Sequence, residues 1–285
     1  MSGWPPTVRL PPTAEDDANF KRFESEGWSA QAESYGELTG RVTAAAAGAL
    51  LDAGGVRDGL GVLDVACGAG AVTAAAAERG AHPVGLDISA GMLEKARRAH
   101  PELELIEGDA EALPFEAGSF EAVVGGFVLN HLPRPERAVA EAARVVSPGG
   151  RLAFSVWDRP ERARVMGIMS EAIDRAGLDR SEGVPPGPDG FRFADEDAFA
   201  ALLGNAGLGD VRVDTLELSV PVRDVDELWD GLLGGTVRAA AAVRAASQEN
   251  QRRVRQAFDE LAAPYQAGDG GLVLPAVVKV GSGSK

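Results

Sequence analysis

The chain is poor in the side chains that usually announce a metal, a disulfide or a nucleic-acid surface. It has one cysteine, three histidines and 6% aromatic residues in 285 positions. With Cys67 alone no intrachain disulfide can form, and a reducing cytoplasm is the expected compartment. His82, His100 and His131 are scattered, and no His/Cys/Asp cluster has ligand spacing, so no metal is expected. No apolar run approaches the ~18–20 residues that cross a bilayer. The first residues hold no basic segment leading into an apolar one, so no secretion signal is expected. Basic residues are also scarce: 28 Lys and Arg face 43 Asp and Glu, a net charge of −15. That balance argues against a phosphate backbone as partner. The expected partner is a small molecule, with no nucleic acid and no membrane, and the expected assembly is a monomer or homodimer.

What is present centres on one turn. Leu60 to Ala66 is a short apolar run bounded by glycines, which reads as a buried strand. Cys67-Gly68-Ala69-Gly70 is a tight turn, and the alanine-rich stretch from Ala71 to Arg79 is a strong helix former stopped by Gly80. A strand–glycine turn–helix lets a ligand lie against bare backbone at a helix N-terminus. A dinucleotide site calls for G-x-G-x-x-G and an acid about 20 residues on. Here the third glycine position is Thr73. The acid is present as Asp87, at the end of a second strand, Val84-Gly85-Leu86-Asp87-Ile88. A further acid, Asp64, lies inside the first strand. It would repel a pyrophosphate and suits a cationic amino-acid group.

Five stretches carry a family resemblance. Val62 to Gly70 resembles the first motif of the class I S-adenosylmethionine (SAM)-dependent methyltransferases, and Asp87 matches that family's ribose-binding acid. Glu107 to Phe115 resembles its adenine-contacting stretch. Phe120 to Leu132 resembles its fourth strand and following turn, and Ala143 to Leu152 the motif leading into its fifth. The nearest likeness is to the small-molecule enzymes of quinone and bacterial secondary-metabolite biosynthesis. High use of Ala, Gly, Arg and Asp fits a bacterial GC-rich coding sequence. The resemblance implies an α/β fold: a Rossmann-like, doubly wound, seven-stranded sheet with its last strand antiparallel beside strand five, a helical N-terminal segment and a cap inserted after strand five. It also implies SAM as cofactor.

Strands are expected near 60–66, 82–87, 103–107, 120–126, 151–157, 210–220 and 271–280. Helices are expected near 19–53, 71–79, 89–99 (with Ser89 as N-cap), 135–146, 195–206 and 224–262. The division is then a flexible 1–18 with Pro5, Pro6, Pro11 and Pro12, a helical lid 19–55, a core 56–157, a cap 158–193 with a loop from Gly183 to Gly190, and a C-terminal part 194–281. Pro275 suggests a bulge or irregular start in the last strand, and 281–285 a frayed tail.

The resemblance places the cofactor against Ala66, Gly68, Gly70, Asp87, Ile88, Met92, Asp109, Ala110, Glu111 and Phe127. Asp64 acts either near the methionine ammonium or as a cap of the helix turn. Met92 is either an adenine wall or core. Tyr35 and Trp28 either touch a ligand or pack the N-terminal helices. Cys67 reads as a small turn residue, without the basic partner a nucleophile needs. His131 is the candidate general base, since imidazole titrates near neutrality; the other reading is that it packs under the cofactor. Substrate candidates are Phe23, Trp28, Trp157, Met166, Met169, Arg192 and Trp229, each of which is otherwise core. Transfer would be an in-line displacement aligned by the protein. Three other functions stay open: a SAM-fold enzyme of cyclisation or rearrangement, an NAD(P)-dependent oxidoreductase, and a non-catalytic SAM-binding module.

Overall fold

The structure is a computed structural model that describes residues 13–179, 184–268 and 270–285. The prolines of the expected flexible N-terminus (Pro5, Pro6, Pro11, Pro12) and Gly183 lie outside these residues. In chain order the elements begin with α1 (Ala14–Gln31), α2 (Thr39–Ala53), β1 (Gly61–Val65), α3 (Ala71–Glu78), β2 (His82–Asp87), α4 (Ala90–Ala99) and β3 (Glu104–Glu107). They continue with β4 (Phe120–Gly126), α5 (Pro135–Val145), β5 (Val146–Trp157), α6 (Arg164–Arg175), α7 (Glu196–Asn205) and β6 (Gly209–Val222). The last are α8 (Val225–Gly235), α9 (Arg238–Ala245), α10 (Gln248–Ala262) and β7 (Leu272–Ser284).

One seven-stranded sheet has the order β3-β2-β1-β4-β5-β7-β6. The first five strands pair in parallel, and β7 runs antiparallel between β5 and β6. This is the fold class the motifs imply. Alternation along the strands splits the core into two faces. Val62, Ala122 and Val124 pack with α2, α6 and α8 to α10 on one side, while Leu63, Val65 and Val123 pack with α5 and α7 on the other. The chain leaves β1 toward β2 and β3, then returns to place β4 on the other flank of β1. The crevice beyond the carboxyl ends of β1 and β4 is therefore the switch point where such sheets bind ligands.

Several local expectations are corrected. Helix α1 starts at Ala14, inside the stretch expected to be irregular. The reason is a capping box: Thr13 Oγ1 accepts from Asp16 N at 3.2 Å, and Asp16 accepts from Thr13 N at 2.8 Å. The expected helix over 224–262 is three helices, broken after Gly235 and after Ala245. The tail 281–285 is not frayed. β7 continues to Ser284, paired with Arg151 on one side and Gly209 on the other. Gly281 is there for packing, since a Cβ on it would lie 2.7 Å from Phe199 Cζ. Pro275 causes no bulge. It pairs in regular register with Ser219, beyond the last β5 pair of Trp157 with Val278, where β7 has a neighbour on one side only.

Helix α1 crosses the carboxyl edge of the sheet and is tied down by polar contacts. Ser25 Oγ donates to Ile88 O at 2.9 Å, the Ser29 and Ser89 hydroxyls lie 2.9 Å apart, and Lys95 Nζ donates to Ala32 O at 2.6 Å. Among the described residues no helix is long and apolar enough to cross a membrane.

Candidate functional site

The turn after β1 is wound by left-handed residues: Ala66 at φ 57°, Gly68 at φ 55° and Gly70 at φ 87°. Phe127, the first residue after β4, is also left-handed at φ 57°. Ala66 and Phe127 are two of only three non-glycine residues in this conformation among those described. Both end strands that flank the switch point, so backbone strain is concentrated where a ligand would sit. Phe127 is held by donation of its N–H to Ser155 O at 3.0 Å, and its ring lies 4.4 Å from that of Trp157.

Asp87 locks the β1 and β2 ends together. Its Oδ2 accepts from Gly68 N and its Oδ1 from Ser89 N, both at 2.8 Å. Burial pushes its pKa up, and those backbone amides hold it back. Ser89 caps α4 as expected, accepting from Met92 N at 3.2 Å. Asp109 accepts from Glu111 N through Oδ1 and from Lys21 Nζ through Oδ2, at 2.8 and 2.7 Å. Lys21 also pairs with buried Glu111 at 2.7 Å. Burial raises the Cys67 thiol well above its ordinary value, which agrees with a turn residue rather than a nucleophile.

These edges enclose a cavity of ≈1550 Å³. Ala66, Gly68, Asp87, Ile88, Met92, Asp109 and Ala110 line it from the segments after β1, β2 and β3 and from α4, and Phe127 from the segment after β4. Trp157 at the end of β5, Met166 and Met169 on α6, Arg192, Trp28, Tyr35 and His131 line it as well. Residues 160–174 and 184–192 supply much of the lining, including Pro185, Pro186 and Phe191. A smaller recess of ≈200 Å³ lies at the opposite, amino end of the strands, between Leu60 and Gly150.

Five predicted residues stand outside the cavity lining. Asp64 is buried behind the turn. Its Oδ2 accepts from Thr73 Oγ1 at 2.6 Å, its Oδ1 has no hydrogen bond, and burial raises its pKa to about 7. Thr73, where a dinucleotide fold would want glycine, is thus the anchor of that acid. Gly70 faces Ala96, as the left-handed first residue before α3. Glu111 turns away to Lys21 and to Arg134 N, which donates to it at 2.7 Å. Phe23 is half-buried on α1. Trp229 is stacked edge-on against Phe258 at 5.0 Å with Arg255 over its ring, because α8 turns that face to α10.

Sequence reading missed Lys21, Glu24, Asn130 and Arg238, which also line the cavity. Glu24 joins three elements: its Oε2 accepts from Trp28 Nε1 at 3.0 Å and lies 3.1 Å from His131 Nδ1, and its Oε1 lies 3.2 Å from Arg238 Nε. Residues 24, 131 and 238 share no local pattern, so no spacing rule could have grouped them. Asn130 is 2% exposed, and neither its side-chain oxygen nor its nitrogen has a hydrogen bond. Arg192 donates to Leu129 O and Leu132 O at 2.6 and 2.7 Å, and burial lowers its pKa to about 10. Tyr35 bonds Thr43 Oγ1 at 2.9 Å, and burial raises its phenol.

Comparison with known proteins gives the same family. Residues 63–154 match the model of a methyltransferase domain. The chain is 34% identical over 170 residues to a demethylmenaquinone methyltransferase of Renibacterium salmoninarum, covering 57% of this chain and 72% of the relative. It is 33% identical over 170 residues to the enzyme of the same name from Paenarthrobacter aurescens, covering 57% of this chain and 67% of the relative. Two solved structures share the fold at low identity. The YcgJ protein of Bacillus subtilis has TM-score 0.53 at 19% identity, over 84% of this chain and 98% of its own. Haemonchus contortus phosphoethanolamine N-methyltransferase 2, solved with SAM, has TM-score 0.50 at 18% identity, over 84% of this chain and 52% of its own. The sheet order, the motifs along its carboxyl edge and these relatives agree that the chain belongs to the class I SAM-dependent methyltransferases and is a methyltransferase of small molecules.

Proposed function

We propose that the cavity holds SAM at its Gly68–Asp87–Asp109 end and an apolar, aromatic, quinol-like acceptor at its Trp157–Met166–Met169 end. The observation that carries this reading is the cavity's size together with its lining along the sheet edge. A single small-molecule site occupies ~300–1,000 Å³, and ≈1550 Å³ leaves room for two molecules meeting beside Phe127. The residues at the first end fit the cofactor. A left-handed Gly68 exposes backbone, Asp87 offers a buried carboxylate to ribose hydroxyls, and Ile88 and Met92 supply apolar walls. Asp109 and the Ala110 amide stand where an adenine edge can be read. Bound there, the cofactor supplies a methyl group on a sulfonium, already a good leaving group. The chain's work is alignment and exclusion of water. Residues of α1 and residues 184–192 both line the site. The quinol-like acceptor is supported by the aromatic and methionine lining and by the names of the curated relatives.

The test is calorimetric titration with S-adenosylhomocysteine, followed by transfer of labelled methyl from SAM to a short-chain demethylmenaquinol. Micromolar binding and label in the quinol product are expected. Absence of binding overturns the cofactor site. Binding without transfer to any hydroxylated aromatic acceptor overturns the acceptor class.

A further inference from the structure

The α1 carboxylate Glu24 is the least ordinary group in the cavity wall. It is 3% exposed, on a helix whose Glu15, Asp16 and Glu26 are exposed and whose Asp17 pairs with Arg134. Its partners come from three places: Trp28 one turn on, His131 in the turn after β4, and Arg238 at the start of α9. The indole edge of Trp28 packs on the His131 ring at 5.2 Å and 79°, so the imidazole is held in plane by one neighbour and in position by another. A carboxylate has no proton to give, so the 3.1 Å contact makes His131 Nδ1 the donor. In the neutral ring the lone pair then sits on Nε2, the nitrogen opposite Glu24, on a residue that lines the cavity. The charged groups around this ring are Glu24 itself, Arg238 on its other oxygen, Asp87 at the end of β2, and Arg192 on the carbonyls of Leu129 and Leu132. His100, by contrast, has only an exposed carboxylate, Glu102, at 3.9 Å, and exposed His82 has no ion pair.

We propose that His131 is the proton acceptor of the methyl transfer and that Glu24 is the positioning residue that fixes its tautomer. This rests on the reading of the cavity given above and narrows it to acceptors with an ionisable hydroxyl, an enol or an aromatic alcohol. The acceptor O–H bond breaks and its proton passes to Nε2. The freed pair attacks the methyl carbon, either from oxygen or through the adjacent ring carbon. The methyl–sulfur bond breaks with its pair on sulfur, so no oxidant or reductant enters. Glu24 balances the charge on the imidazolium. Because Glu24 lies on α1, the acceptor is complete only when α1 is docked through Ser25, Ser29 and Lys21.

The test has two arms on the full chain. The first needs no cofactor: ring-nitrogen ¹⁵N spectra, with His131 assigned by its loss in His131→Asn, read the neutral tautomer. Nδ1–H is expected, and Nε2–H overturns the proposal. The second measures transfer. His131→Ala should lower kcat about 100-fold, the scale of general base catalysis, with KM changed less than about threefold, and added imidazole should restore at least tenfold of the loss. Glu24→Gln should lower kcat about tenfold or more and abolish imidazole rescue in the double variant. If His131→Ala does not fold, His131→Gln serves for kcat. A folded His131 variant with wild-type kcat overturns the proposal. A wild-type chain that binds S-adenosylhomocysteine but methylates no hydroxylated acceptor overturns the acceptor reading instead, and the tautomer then decides the Glu24–His131 pair alone.

Discussion

Asp87→Ala should reveal two functions of one carboxylate. In the fold, Asp87 accepts from the Gly68 and Ser89 amides at 2.8 Å each. Leaving a buried donor unpaired costs ~1–3 kcal/mol. Asp87 lines the cavity, so water can enter and replace part of the bonding, which puts the sum near ~2 kcal/mol. For a chain of this size that is a fall in Tm of roughly 3–4 °C. In binding, the lost partner is a charged acceptor for ribose hydroxyls, worth roughly 1.5–3 kcal/mol per bond. With about 1.4 kcal/mol per factor of ten, S-adenosylhomocysteine affinity should fall more than tenfold. Calorimetric titration and a thermal melt on the same sample measure both. The wild-type chain should show a related effect on acidification. Burial raises the Asp87 pKa, so affinity should drop as the pH falls through that raised value. A folded Asp87→Ala variant with an unchanged Kd would refute the ribose assignment.

Three further outcomes are expected. Burial holds the Asp64 carboxyl at about 7 against an ordinary 3.8; its contribution to stability is therefore full below the ordinary value and is lost as pH rises toward 7. The loss is on the order of 4 kcal/mol. Denaturant unfolding of Asp64→Asn, which keeps an acceptor for Thr73, should show a flatter pH dependence over that range, and parallel curves would contradict it. Lys21→Ala leaves Glu111 buried without its cation and should cost ~3 kcal/mol, with earlier proteolysis of α1; adding Glu111→Gln should recover most of it, as a double-mutant cycle in urea can show. Trp229→Ala removes the edge contact with Phe258 and should destabilise by roughly 2 kcal/mol while leaving kcat per folded molecule unchanged; a specific loss of activity would place Trp229 in the site after all.

The sheet and its carboxyl edge are legible in short stretches of the chain. The signals there are local: an apolar run ending in glycines, an acid closing the next strand, Ser89 before a helix. Each is decided by backbone sterics and capping within a few residues, so β1, α3, β2 and α4 fall where their spacing puts them. The same holds for residues that line the cavity through backbone position, such as Gly68, Asp87 and Asp109. Local signals were also misread. Thr13-Ala14-Glu15-Asp16 holds a capping box that starts α1, and Gly281 marks packing against Phe199, although a glycine-rich end suggests fraying.

Which remote side chains meet is set by long-range packing. Trp229 and Trp157 look alike as aromatics near a predicted pocket, yet one packs from α8 against Phe258 of α10 and the other lies beside Phe127. Their fates depend on which helix face the sheet leaves open. Glu24, His131 and Arg238 come together because α1 docks on the segments that follow β2, β3 and β4 while Arg238 reaches Glu24 and Asn130 O from the start of α9. A buried carboxylate is stable only where such partners converge. That convergence depends on how elements far apart in the chain are packed, and no periodicity within one element encodes it.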